Sequence, residues 1–182
     1  MKNTEQRLII AGFGGQGVLL IGQLIAYTGM LSGKEVSWMP SYGPEMRGGS
    51  ANCAVVLSDE PVGSPKVEDA DLVVAMNRPS MELFEKNIVP GGVLLYNSSL
   101  IDIEPKRKDI RTIPIDCSAL AEQVGSLRAS NMVMLGAYAG VTGEFDVESL
   151  MDALRHKMGP AKERFMPVNQ KAIEAGMQAT KG

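Results

Sequence analysis

Four glycines, Gly12, Gly14, Gly15 and Gly17, are the residues of this chain best placed to do chemistry. They follow an apolar run, Leu8-Ile-Ile-Ala11, and precede a second that extends from Val18 to Leu31. Strand, tight turn and helix make up the opening of a nucleotide-binding βαβ unit. A turn of this kind needs φ > 0, which glycine adopts at little cost. Without Cβ atoms the turn lets a ligand approach the backbone. The helix N-terminus then directs free N–H groups and partial positive charge at an anion. The N–H groups of Gly14, Gly15, Gln16 and Gly17 are the expected donors. The spacing Gly12-x-Gly14-x-x-Gly17 satisfies the dinucleotide fingerprint. That fingerprint also requires an acid at the end of the second strand, to hold a ribose hydroxyl. The second strand here ends in Trp38-Met-Pro40, and its only carboxylate, Glu35, stands at its start. An anion or a close backbone approach is therefore favoured over NAD. A glycine turn that merely lets helix and strand pack is the alternative.

Ser41-Tyr-Gly-Pro-Glu-Met-Arg-Gly-Gly49 is a second candidate. Its Gly and Pro content excludes regular structure. Ligands of open α/β sheets lie outside the carboxyl ends of the strands, which places this loop beside the glycine turn. Ser41 and Tyr42 would line a site there, and Glu45 and Arg47 would order it. Arg47 can offer two parallel donors to an anion. A solvated surface loop is the alternative. Asn77 and Asn97 each follow a predicted strand and reach the same edge; each could equally close its own turn.

The elements that must position these residues are read from periodicity. Strands are predicted over Leu8–Ala11, Glu35–Met39, Ser50–Ser58, Asp71–Met76, Val93–Tyr96 and Arg111–Asp116. A helical turn is expected at 67–70, and a helix capped by Ser80 running through Phe84 to Asn87. Pro90-Gly-Gly92 is expected to form a separate turn. Helices follow over Ser118–Val124, Asn131–Val141, Asp146–Met158 and Val168–Ala179. The fold class is α/β: a Rossmann-like, doubly wound, mostly parallel sheet with C-terminal helices. One domain is expected over 1–182, with the α/β core in 1–143 and a helical part in 144–182.

Composition narrows the function further. A chain of 182 residues that is 45% hydrophobic and 21% charged can bury a sizeable core. A net charge of −3 offers no basic face for nucleic acid. No signal peptide is expected, and the run from Val18 to Leu31 is too short to span a bilayer. A cytoplasmic protein without membrane attachment is the expectation. Two distant cysteines, Cys53 and Cys117, suggest neither a disulfide framework nor a metal site, and cannot alone hold an iron–sulfur cluster. Twelve methionines against four Phe and one Trp imply an adaptable interior, with some methionines on a contact surface. The lone histidine, His156, falls on the polar side of its helix, as a solvated residue. There is no P-loop, no zinc spacing, no CxxC and no set for a Ser-His-Asp triad. A nucleotide-like site without catalytic groups fits a subunit that completes a site shared with other chains.

Gly12-Phe-Gly-Gly-Gln-Gly17, Ser41 to Gly49, Asp71 to Pro79 and Pro90 to Ser99 together resemble the γ subunit (γ domain) of 2-oxoacid:ferredoxin oxidoreductases. The likeness runs in order to about Gly143, and the Ser41–Gly49 block is its specific part. The resemblance implies conversion of a 2-oxoacid, CoA and oxidised ferredoxin into acyl-CoA, carbon dioxide and reduced ferredoxin. It implies thiamine diphosphate, Mg²⁺ and [4Fe–4S] clusters on partner α, β and ferredoxin-like δ subunits. It gives this chain a part in accommodating CoA, which makes Gly12, Gly14, Gly15, Gln16, Gly17, Ser41, Tyr42, Glu45, Arg47, Asn77 and Asn97 the candidate binding residues. Among substrates 2-oxoglutarate is expected first and branched-chain 2-oxoacids next. The rival is a Rossmann-type nucleotide-binding oxidoreductase acting alone. A purely structural spacer subunit is a third reading.

Overall fold

The computed structural model describes residues 5–41 and 49–182. Among these, six strands form one sheet: β1 (Glu5–Phe13), β2 (Glu35–Ser41), β3 (Ser50–Ser58), β4 (Ala70–Ala75), β5 (Ile88–Asn97) and β6 (Arg111–Ile115). Their spatial order is β2-β3-β1-β4-β5-β6. The α-helices are α1 (Val18–Leu31), α2 (Arg78–Phe84), α3 (Cys117–Gln123), α4 (Ser130–Thr142), α5 (Val147–Met158) and α6 (Met166–Ala179). The expected α/β class with a mostly parallel sheet and C-terminal helices is what the chain adopts. β1, β4, β5 and β6 run parallel, while β3 is antiparallel to both β1 and β2. The reversal follows from chain length. The segment between Ser41 and Ser50 is too short for a parallel crossover, which needs a dozen or more residues.

Alternation along each strand divides the core. Leu8 and Ile10 of β1 enter a large cluster on one face, with α1, α3, α4, α5 and α6. Ile9 enters a smaller cluster on the other face, with Val73, Leu94, Met81 of α2, and Ile101 from the connection after β5. Helix α1 is pressed onto the sheet at its glycines. A Cβ on Gly29 would stand 2.6 Å from Leu57 Cδ2, and one on Gly22 would meet Cys53 Sγ. Its outer flank packs on α4 and α5. Helices α4 and α6 meet backbone to backbone. A Cβ on Gly136 would fall on the Ile173 carbonyl, and one on Gly176 on that of Val133.

Three local expectations need correction. No helical turn forms at 67–70, because Ala70 opens β4. Pro90-Gly91-Gly92 lies inside β5 and is absorbed there as a register shift against Ala70 and Leu72, with Gly91 at φ 78. Helix α2 is capped by Asn77, whose Oδ1 accepts the Ser80 N–H at 2.9 Å. Ser80 lies one turn too late to cap it. Tyr42, Glu45 and Arg47 lie outside the described residues.

Candidate functional site: the carboxyl edge around the glycine loop

The loop after β1 takes its form from glycine at different positions for different reasons. Only Gly15 (φ 92) and Gly17 (φ 75) use the left-handed region. Gly17 serves as N-cap of α1, with no side-chain hydrogen bond. Asn131, at the start of α4, packs where a Cβ on Gly17 would stand. Gly12 is still within β1, paired with Ala51. A Cβ there would lie 2.6 Å from Gln16 Oε1, 2.8 Å from Val18 Cγ1 and 2.9 Å from Met76 Cβ. Gly12 thus makes room for the Gln16 side chain to fold back over the loop.

Two of the four expected donors are engaged within the protein. The Gly14 N–H donates to the Gly49 carbonyl at 3.0 Å, and the Gln16 N–H to that of Phe13 at 3.2 Å. The first bond places Gly49, the end of the second candidate loop, against the glycine turn. Gly15 and Gly17 have no backbone acceptor among the described residues. Gly15 is exposed, and nothing lies within 4 Å of where its Cβ would be. At Gly15 the loop therefore offers open backbone near the positive end of a 14-residue helix.

Gln16, Asn77 and Asn97 turn inward. Gln16 Oε1 accepts the Phe13 N–H at 2.6 Å, and Gln16 Nε2 donates to the Met76 carbonyl at 3.2 Å. Asn77 Nδ2 donates to Gln16 Oε1 at 3.4 Å while its oxygen caps α2. Asn97 Nδ2 donates to the Met76 carbonyl at 3.3 Å, and Asn97 Oδ1 accepts the Ser99 N–H at 3.2 Å. Both asparagines are 2% exposed. Beyond them, the Ser99 hydroxyl donates to Asp116 Oδ1 at 2.6 Å. That bond, followed by the Ala119 N–H, holds the Asp116 carboxyl below its ordinary range. Ser41, the last residue of β2, is exposed and pairs with Asn52.

Asn131, which packs against Gly17, also lines a cavity of about 350 Å³. Leu20, Met132 and Phe165 supply apolar wall, and Arg128 and Lys162 the positive charge. Asn169, only 9% exposed, also lines it. Sequence reading passed over Arg128, Lys162 and Asn169. Their one local signal is polarity at the ends of apolar helices, which solvation explains equally well. His156 is exposed, with its ring 6.1 Å from that of Tyr27. Cys53 and Cys117 are buried, and burial pushes both thiols from the ordinary 9.0 up to about 12. Neither can act as a nucleophile at neutral pH. Among the described residues no cluster of His, Cys, Asp and Glu could hold a metal ion. No helix there is long and apolar enough to cross a membrane. Among the described residues the edge thus presents two N–H groups without a backbone acceptor and two basic side chains.

Residues 7–179 match the family described as pyruvate ferredoxin/flavodoxin oxidoreductase. The chain belongs to this family. Ketoisovalerate oxidoreductase subunit VorA of Methanothermobacter marburgensis is 42% identical over 174 residues, covering 94% of this chain and 36% of VorA. The chain thus spans about a third of that relative's length. Within the same fold, the keto/oxoacid ferredoxin oxidoreductase γ subunit of Geobacter sulfurreducens superposes with a TM-score of 0.82 at 28% identity, over 97% of this chain and 98% of that one. A 2-oxoglutarate:ferredoxin oxidoreductase of Magnetococcus marinus, solved with 2-oxoglutarate, coenzyme A and succinyl-CoA bound, gives a TM-score of 0.89 at 27% identity. That match covers 99% of this chain and 32% of the other.

Proposed function

We propose that this chain is the γ subunit of a thiamine diphosphate-dependent 2-oxoacid:ferredoxin oxidoreductase, and that its carboxyl edge is one wall of the coenzyme A site. The observation that carries the reading is the pairing of two features at one edge. Asn131 links the open backbone of the loop before α1 to a cavity bearing Arg128 and Lys162, since it packs against Gly17 and lines that cavity. CoA carries phosphates that suit helix N–H groups and basic side chains, and apolar stretches that suit Leu20, Met132 and Phe165. Thiamine diphosphate with Mg²⁺, and the [4Fe–4S] clusters that pass electrons to ferredoxin, belong in this reading to α, β and δ partners. The thiazolium supplies the carbanion chemistry there. This chain contributes binding and orientation of the acyl acceptor. The substrate is 2-oxoglutarate or a branched-chain 2-oxoacid. The first is the expectation from sequence, and the second is favoured by the 42% identity to VorA.

A dinucleotide reading loses support from topology. In dinucleotide-binding sheets the second strand neighbours the first and ends in the ribose-binding acid. Here the reversed β3 separates β2 from β1, and β2 ends in Met39-Pro-Ser41.

The test is to isolate the tagged chain from its host without oxygen and assay CoA-dependent viologen reduction with several 2-oxoacids. Brown partners and activity are expected, and the preferred oxoacid names the substrate. In that complex Arg128→Ala should raise the KM for CoA by roughly ten- to a hundredfold, since a hydrogen bond to a charged group contributes about 1.5–3 kcal/mol. The KM for the oxoacid should not move. A colourless chain that purifies alone and binds NADH would overturn the reading.

A further inference from the structure

The carboxyl edge of the sheet is crossed by a line of side-chain amides that face the protein, not solvent. Gln16 joins the end of β1 to the end of β4 through the Phe13 N–H at 2.6 Å and the Met76 carbonyl at 3.2 Å. Asn97 joins β5 to that same carbonyl at 3.3 Å. A carbonyl has two lone pairs, and these two donors fill them. Met76 is itself fixed to β1, its N–H donating to the Ala11 carbonyl at 2.8 Å. Ser99 and Asp116 carry the line on to α3 through bonds of 2.6 and 3.1 Å, the second from the Ala119 N–H. Gln16 Oε1 has both its acceptor positions taken, by Phe13 and by Asn77 Nδ2.

We propose that Gln16 is a positioning residue: its side chain does not touch the ligand but fixes the glycine loop before the ligand arrives, with Asn77 and Asn97 as its supports. The inference rests on the reading of this edge as a CoA wall. Its physical basis is preorganisation. A loop with two left-handed glycines has many conformations to lose, and ordering each backbone residue costs conformational entropy. Gln16 reduces that cost at binding by closing the turn onto the end of β4. Gly12 has the same purpose seen from the other side, since its missing Cβ is what admits the Gln16 amide. The Gly15 and Gly17 N–H groups, which have no backbone acceptor among the described residues, would thereby meet an anion in a shape already set.

The experiment uses the assembled, anaerobically purified enzyme carrying Gln16→Met, which keeps the length and loses the polar atoms, and Gln16→Glu. Two quantities are read: hydrogen exchange of the peptide containing residues 12–19 in CoA-free enzyme, and the KM values for CoA and oxoacid. In Gln16→Met, loop exchange should rise on the order of tenfold and the CoA KM by a similar factor. The oxoacid KM should stay. In Gln16→Glu the carboxylate can still accept from Phe13 but cannot donate to Met76 until it is protonated. A glutamate carboxyl, whose ordinary pKa is about 4.3, stays ionised from pH 6 to 8, so Gln16→Glu should raise loop exchange and the CoA KM as Gln16→Met does. A raised CoA KM with unchanged loop exchange in CoA-free Gln16→Met would mean that Gln16 contacts the ligand, and would overturn the proposal. Faster exchange with an unchanged CoA KM would overturn it too, by removing the loop from the CoA site. In that case Arg128→Ala would decide separately whether the wider CoA reading stands.

Discussion

At Gly17 the backbone turns at φ 75, and Asn131 occupies the space of a Cβ. At Gly15 the backbone also turns left-handed, at φ 92, but the space beside it is empty. The two positions separate conformational strain from steric exclusion. Gly15→Ala should cost about 1 kcal/mol, the penalty for a left-handed residue with a Cβ. Gly17→Ala should cost about 2–3 kcal/mol, because Asn131 must move as well. Urea unfolding midpoints of the two variants check the order; equal losses would mean that Asn131 gives way freely. The glycine spacing was legible in the sequence as a loop, and Gly15 and Gly17 have the positive φ expected of it. What the sequence hid was the distribution of purposes. Gly12 makes room for one amide, and Gly14 has its N–H on Gly49. Both depend on where Gln16 and Gly49 lie in three dimensions, which spacing alone cannot encode.

Elements defined by local periodicity were legible almost to the residue, as with α5, with Glu148 in its first turn and Arg155 and Lys157 in its last. Elements defined by a partner were not. The direction of β3 depends on the length of the connection before it, and the cap of α2 on which side chain, Asn77 or Ser80, reaches the free N–H. The contact between α4 and α6 is likewise invisible in either helix alone. The first reads as an apolar helix with small residues and the second only as a closing helix, yet Gly136 and Gly176 bring the two backbones together. A Cβ at Gly136 would lie 2.7 Å from the Ile173 carbonyl carbon, and backbone cannot rotate aside as a side chain can. Gly136→Ala should therefore destabilise by about 2 kcal/mol or more, although alanine favours an isolated helix by about 1 kcal/mol. Gly143→Ala would separate this from a general effect of removing glycine. Gly143 ends α4 at φ 64 with nothing within 4 Å, so its cost is conformational alone, near 1 kcal/mol. A stabilised Gly136→Ala protein would show that α6 moves away without loss.

Over the whole molecule, burial decides the response to alkaline pH. Cys53 and Cys117 are both 0% exposed, and their thiols rise from 9.0 to about 12. The protonated thiol is the form the fold accepts. Below pH 9 both thiols are protonated in the folded and unfolded chain alike, so this contribution to stability is fully present. Between 9 and 12 the unfolded chain ionises and the folded one does not, so stability falls as pH rises. Each thiol should remove about 1.4 kcal/mol by pH 10. Lys34 adds to the loss at higher pH: hydrogen bonds to Glu144 and Asp59 raise it above 10.5, and the unfolded chain loses that proton first. Tyr138 is also raised by burial, and the folded interior resists its ionisation in the same way. The two causes are separable because the thiols act from pH 9 and the others from above 10. Urea unfolding of wild type and of the Cys53→Ala/Cys117→Ala variant, at intervals from pH 8 to 10, reads the difference. The variant starts lower, because each truncation leaves a cavity, but its curve should be nearly flat while that of wild type declines. Parallel curves would mean that the thiols ionise in the folded protein, and hence that water reaches beneath α1 and α3.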